Sequence, residues 1–154
     1  MPAELWLVDS NILIRLLKQD HPSYWPIRRA VTRLKDQGST LCYTLQNMAE
    51  FWNASTRPVD RNGFGMPVEE VDAAARLIER TFAFLPDNEA VYREWRRLVV
   101  RHAVSGVQVH DARLAAAMMA HGVTRILTLN GADFRRFGAV TAVHPGELEE
   151  KPLP

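Results

Sequence analysis

The sequence has a single cysteine, Cys42, so it has no internal disulfide and no zinc site built from several thiolates. Its 8 glycines are spread out, and none stands in a GxGxxG or GxxxxGK pattern. The first apolar segment, LWLV (5–8), runs into DSNILIR without a glycine, which excludes a dinucleotide-binding turn, and the missing GxxxxGK excludes a P-loop. No long hydrophobic run is present. The longest, Leu114 to Ala120, falls far short of the ~20 residues of a membrane span. The opening residues MPAELWLVDS carry Glu4 and Asp9 and no basic stretch, so no secretory signal is expected and a cytoplasmic location follows as the default. An excess of either charge is also absent. Nineteen Lys and Arg against eighteen Asp and Glu give +1, which creates no long-range field.

What is present suits one globular domain. Of 154 residues, 47% are hydrophobic and 24% charged, enough apolar material to offset the entropy of ordering. No internal repeat or linker divides the chain. Five apolar segments have the length of buried strands: LWLV (5–8), TLCY (40–43), FAFL (82–85), RILTL (125–129) and AVTAV (139–143). The first four are each followed by a helix-start signal, and helical patterns fill about 25–37, 68–81 and 110–121. Strands alternating with helices predict a parallel α/β sheet covered on both faces. RPVDRNGFGMP (57–67) reads as an exposed loop, and HPGELEE (144–150) as a final turn and frayed tail. The predicted domain is therefore residues 1–145, with a short tail over 146–154.

This architecture has a consequence for the acidic residues. In a parallel sheet all carboxyl ends share one edge, and ligands bind there. Asp9 directly follows LWLV, and Glu50 lies in the first two turns after TLCY. Asp111 opens a helix that VQV (107–109) enters in an extended manner, and Asp133 lies in the first turn of a helix after RILTL. Each has an ordinary reading: aspartate caps helices and complements their dipole, and Glu50 could be a surface residue between apolar neighbours. Together, four like charges at one edge repel, and a divalent cation removes the conflict. Mg²⁺ and Mn²⁺ take oxygen ligands, make coordinated water a better nucleophile and neutralise charge on a phosphoryl transition state. The pattern therefore points to phosphodiester hydrolysis.

The segments VDSNILI (8–14), MAEFWNAST (48–56), VHDARLAAAM (109–118) and LTLNGADFRRF (127–137) resemble, in order, the four motifs of PIN-domain nucleases, and most nearly those of VapC-type toxins. The resemblance spans about residues 5–143. It implies a three-layer α/β/α fold around a parallel five-stranded sheet, and a Mg²⁺- or Mn²⁺-dependent endoribonuclease. Asp9, Glu50, Asp111 and Asp133 match the acidic quartet, with Asp9, Asp111 and Asp133 as the metal-holding set and Glu50 positioning or deprotonating water. Ser10 matches a small hydroxyl residue supporting the first aspartate. Asn130 matches an orienting asparagine, and Thr128 is either a further orienting group or scaffold. The resemblance also implies a homodimer, an RNA substrate and a cognate antitoxin whose tail places a basic side chain among the carboxylates. The alternatives are a PIN-like binding module with little catalysis, or a nuclease for another nucleic acid.

Other residues are weighed against plainer roles. Arg113 and Arg135 stand near the quartet and are candidates for RNA contact or for pairing with carboxylates. Arg93, Arg96, Arg97 and Arg101 form a stripe at helical spacing, which interleaved Glu89 and Glu94 mark as a solvated face. His110 is read as structural. Trp6, Trp25, Trp52 and Trp95 could stack on bases, but core packing is the commoner fate. Phe51 and Trp52 could line a partner groove, and Cys42 reads as a small core hydrophobe. Asn11, two residues after Asp9, stands where a haloacid-dehalogenase-type phosphatase needs aspartate, and no lysine suits a receiver domain.

Overall fold

The computed structural model describes residues 2–149. The expected strand segments form one sheet: β1 (Leu5–Val8), β2 (Thr40–Thr44), β3 (Ala83–Leu85), β4 (Arg125–Leu127) and β5 (Thr141–Val143). Every neighbouring pair is parallel, and the order is β3-β2-β1-β4-β5. The helices are α1 (Ser10–Arg15), α2 (Tyr24–Asp36), α3 (Leu45–Thr56), α4 (Val68–Thr81), α5 (Glu89–Arg101), α6 (Val109–Ala120) and α7 (Pro145–Glu149). None is long and apolar enough to cross a membrane.

Alternation along the strands divides the core into two layers. Leu7, Cys42 and Ile126 face α5 and α6, packing on Val91, Leu98 and the buried run Leu114–Met118. Trp6, Val8, Leu41, Tyr43 and Leu127 face the other way, against Ile12, Ile27, Leu34, Phe51, Val71 and Ile78. The expected α/β/α sandwich is the result. Trp6 and Cys42 are core residues, 2% and 1% exposed. Phe51 is also core at 1% exposed, at the base of a cavity lined by Leu13, Leu17, Leu77 and Ile78, and Trp52 beside it is half-buried.

Local chemistry sets the helix starts on the carboxyl side of the sheet. Asp9 caps α1 by accepting from Ser10 N. Thr44 and Asn47 form a reciprocal capping box at α3, and Asn88 caps α5 through Val91 N. The 57–67 segment is exposed as expected but ordered. It folds back on α3, with Phe64 N donating to Ala54 O and Met66 N to Ser55 O. Gly63 approaches Arg57 so closely that a Cβ would lie 2.0 Å from its carbonyl oxygen, so only glycine fits.

Three expectations are corrected. VQV is not extended: Gly106–Gln108 is a 3₁₀ turn running straight into α6, which begins at Val109. Gly106 at φ +61° allows that entry. Asp133 lies on a 3₁₀ turn, Gly131–Phe134, rather than on an α-helix, because Phe134 and Phe137 are drawn into the core and Gly138 follows at once. The tail expected from 146 is helical through Glu149. There α7 docks on α2, with Arg29 paired to Glu149 at 2.6 Å and Arg33 Nη1 donating to Leu148 O at 2.6 Å. The remainder of that tail, 150–154, and Met1 lie outside the described residues.

Candidate active site

The strand order places the site. Connections from β1 and β4 leave in opposite directions, so a crevice opens at their carboxyl ends, the usual position for a ligand in an open α/β sheet. Asp9 stands at the end of β1, where its backbone N–H extends the ladder by donating to Leu127 O at 3.0 Å. It is 8% exposed, and both carboxylate oxygens are held. Oδ1 accepts from Ser10 N at 2.7 Å, and Oδ2 accepts from Thr128 Oγ1 at 2.7 Å. Thr128, fully buried after β4, also accepts from Asn130 N at 3.0 Å. Thr128 is therefore an orienting group and not only scaffold.

The other carboxylates come from the flanking helices and the turn after β4. Glu50 projects from α3 half-buried, Asp111 from the first turn of α6 half-buried, and Asp133 from the 3₁₀ turn exposed. Their mutual influence shows that they are gathered. Burial pushes the Asp111 carboxyl up to about 6, and the charges of Asp133, Asp9 and Glu50 push the same way. Burial also raises Asp9, opposed by the Thr128 and Ser10 hydrogen bonds and reinforced by Glu50 and Asp133.

Polar side chains that sequence reasoning missed hold this arrangement. Gln46 is 6% exposed, and its Nε2 donates both to Glu50 Oε1 at 2.9 Å and to the His110 carbonyl at 3.0 Å, tying α3 to the start of α6. Asn47, fully buried, donates to Ser10 Oγ at 3.1 Å, so the Ser10 hydroxyl braces α3 while its backbone braces Asp9. Asn11 Nδ2 lies 3.4 Å from both Asp9 Oδ2 and Thr128 Oγ1, and its Oδ1 accepts from Leu129 N at 3.3 Å. Asn11 thus places an amide beside the Asp9 carboxylate, and Asn130 meets this group through its backbone N–H. Signals were available: Gln46 is four residues before Glu50, on the same helix face, and Thr44 with Asn47 has capping spacing.

The basic candidates divide. Arg113 Nη2 pairs with Asp87 at 2.5 Å and its side chain stays 41% exposed. Arg135 is exposed, and Arg136 donates to Gln108 Oε1 at 2.7 Å. Arg93 and Arg97 pair with Glu89 and Glu94, as a solvated face requires.

The donor set fits a hard divalent cation. It is all oxygen, and Asp9 Oδ1, which accepts only from Ser10 N, retains a second lone pair. Among the described residues, no three carboxylate, histidine or cysteine side chains are gathered tightly enough to hold an ion by themselves. Mg²⁺ commonly keeps several waters and takes one or two direct carboxylates, which such an open edge can provide. The Oε1 of Gln46 is buried and has no hydrogen-bond partner among the described residues.

The sequence model of the PIN domain matches residues 6–140. The chain belongs to the PIN domain family. Solved structures that share this PIN fold include a chain of VapBC from Salmonella typhimurium bound to DNA, with TM-score 0.66, 16% identity, and coverage of 92% of this chain and 98% of that one. VapBC2 from Rickettsia felis bound to a promoter DNA fragment gives TM-score 0.65 and 13% identity, covering 91% and 98%. VapC20 of Mycobacterium tuberculosis, a toxin that cleaves the sarcin-ricin loop, gives TM-score 0.63 and 15% identity, covering 86% and 95%. No curated protein is similar enough to count as a match.

Proposed function

We infer that this PIN domain is a metal-dependent endoribonuclease and the toxin half of a toxin–antitoxin pair. The observation that carries the reading is the convergence of Asp9, Glu50, Asp111 and Asp133 from four segments on the crevice between β1 and β4. Asp9, Asp111 and Asp133 would hold Mg²⁺ or Mn²⁺, in part through water, since they are not gathered tightly enough to bind an ion by themselves. The ion, when bound, supplies positive charge to the phosphoryl group and acidifies coordinated water. Glu50, fixed by Gln46, would orient the attacking water and take its proton as the water oxygen bonds to phosphorus, the bond to the leaving oxygen breaks and that oxygen takes a proton from solvent. Thr128, Asn11 and the Ser10 backbone keep the Asp9 carboxylate in one orientation throughout.

The toxin role rests on the fold shared with VapBC chains. It brings three expectations: a homodimer, a cytoplasmic location, and a cognate antitoxin that inserts a basic side chain among the carboxylates. Arginine suits that purpose, because its planar fork pairs with carboxylates and excludes a cation.

The test is purified protein, freed of antitoxin, incubated with total RNA in Mg²⁺, in Mn²⁺ and in EDTA, followed by sequencing of the cut ends. Discrete cuts that vanish in EDTA and in Asp9→Asn protein are expected. Cuts that persist in either would refute the metal-site assignment, and folded protein that binds RNA without cutting it would make this PIN domain a binding module.

A further inference from the structure

Next to the carboxylate edge lies a separate cleft of about 390 Å³ between the N-terminal halves of α5 and α6. Asp87, Asn88, Tyr92, Trp95, His110 and Arg113 line it. It is joined to the acidic site by short links. His110 precedes Asp111, and the His110 carbonyl accepts from the same Gln46 nitrogen that holds Glu50. Its floor is aromatic. Tyr92 and Trp95 sit one helical turn apart on α5, with ring centres 6.5 Å apart and planes inclined by 33°. Trp95 is fixed by its indole N–H donating to Val109 O at 2.9 Å, whereas Tyr92 is 59% exposed. The indole packs in part against the core, while the exposed phenol ring beside it does not help to close that core.

The polar rim is also pre-set. Arg113 is anchored by Asp87 at 2.5 Å yet remains 41% exposed, so some of its five N–H donors stay free. An aromatic floor with a guanidinium at the rim matches an unpaired base followed by its phosphate. The need for such a platform is electrostatic. The carboxylate edge repels an RNA backbone, so substrate must be gripped where those charges do not dominate. Stacking offers a grip that is insensitive to the charge of the edge.

The geometry points to a nucleobase subsite in this cleft: a base of single-stranded RNA next to the scissile phosphate stacks on Tyr92 and Trp95, and Arg113 holds the flanking phosphate. This deepens the nuclease reading and rests on it for the role of the RNA, but binding can be measured without cleavage.

The experiment titrates the full-length protein in EDTA with tetraribonucleotides of each base, read by tryptophan fluorescence and by anisotropy of a labelled oligonucleotide. Quenching is expected in the parent. Tyr92→Ala should raise Kd about tenfold or more, with Tyr92→Phe restoring binding, since the ring supplies the stacking. Arg113→Gln should weaken all sequences alike and lower the salt slope by about one. The exposure of Tyr92 lets both of its variants fold, which a melting curve verifies. Unchanged affinity in Tyr92→Ala, with an unaltered cutting pattern in Mg²⁺, would overturn the subsite and leave the nuclease standing. Base binding lost on Tyr92→Ala in a protein that cuts no RNA would overturn the nuclease reading and leave the subsite. A change of oligomeric state in Tyr92→Ala at unchanged RNA affinity would assign the rings to protein–protein contact and refute the proposal.

Discussion

Asp9 and Asp133 reach the same crevice under opposite conditions. Asp9 is buried at the end of the central strand with both carboxylate oxygens hydrogen-bonded. Asp133 stands exposed on a 3₁₀ turn, its backbone N–H donating to Asn130 O at 3.2 Å. The first is oriented by the fold before any ligand arrives, and the second is free to adjust to one. Burying Asp9 carries a desolvation cost that its hydrogen bonds only partly offset, so its placement opposes stability. Asp133 avoids that cost at the expense of a fixed geometry. One acidic site therefore combines a rigid anchor with an adaptable arm.

The largest effect separating the two ends is expected from Asp9→Asn. Cleavage should fall on the order of 10²–10³-fold, the scale of losing one preorganised charge-handling group. The melting temperature should hold or rise, because a buried charge has been removed. A next step down, Thr128→Val leaves the carboxylate in place but removes its orienting hydroxyl. It should weaken Mg²⁺ affinity about 10- to 100-fold, as loss of a group that orients a ligand commonly does. It should also destabilise by about 1–3 kcal/mol, since Asn130 N–H loses its acceptor. Isothermal titration and chemical denaturation measure the two consequences separately.

Asp133→Asn should reverse that balance. Its stability should stay within about 0.5 kcal/mol of the parent, as for most exposed positions, while cleavage still drops. A large destabilisation would show that the turn depends on the charge.

The smallest effect is the pH response of the metal-free protein. Burial and neighbouring charges raise Asp9, and raise Asp111 to about 6 from the ordinary aspartate value of 3.8. A carboxyl whose folded value is raised favours folding in its protonated form. That contribution is complete below 3.8 and disappears as pH rises through about 6. Melting temperature in EDTA should therefore be higher near pH 5 than near pH 7.5, and Asp111→Asn should flatten the curve. Saturating Mg²⁺ should help more at the higher pH. A hundredfold excess over Kd is worth about 2.7 kcal/mol.

The layered fold was legible because its signals are periodic. LWLV, TLCY and RILTL alternate faces and stop at polar residues, and α5 and α6 carry their apolar positions at helical spacing. The placement of Asp9 and Asp133 at one edge was legible for a topological reason, because residues just beyond parallel strands meet wherever they stand in sequence, whereas Asp111 follows no strand and stands in the first turn of α6. The brace of Gln46, Asn47 and Asn11 was harder to read. Amides at helix starts look like ordinary solvated or capping residues, and what distinguishes Gln46 is a second bond to a carbonyl 64 residues away. The VQV segment misled because its β-branched composition suggests strand, while Gly106 turns the chain into a helix before a strand can form. Arg113 was seen near the site, but its pairing with Asp87 depends on the packing of α6 against α5, which no local spacing encodes.

The bond from Thr128 to Asp9 joins residues 119 positions apart. Synthesis runs from the N-terminus, so a ribosome exposes Asp9 long before Thr128 exists. Until β4 emerges and inserts beside β1, the nascent chain holds the first acidic residue without its clamp and without Asp111 and Asp133 in place. Long-range parallel pairing of this kind is slow to form. The Asp9 clamp thus requires the chain through residue 128, and premature termination anywhere before it leaves the acidic edge unassembled.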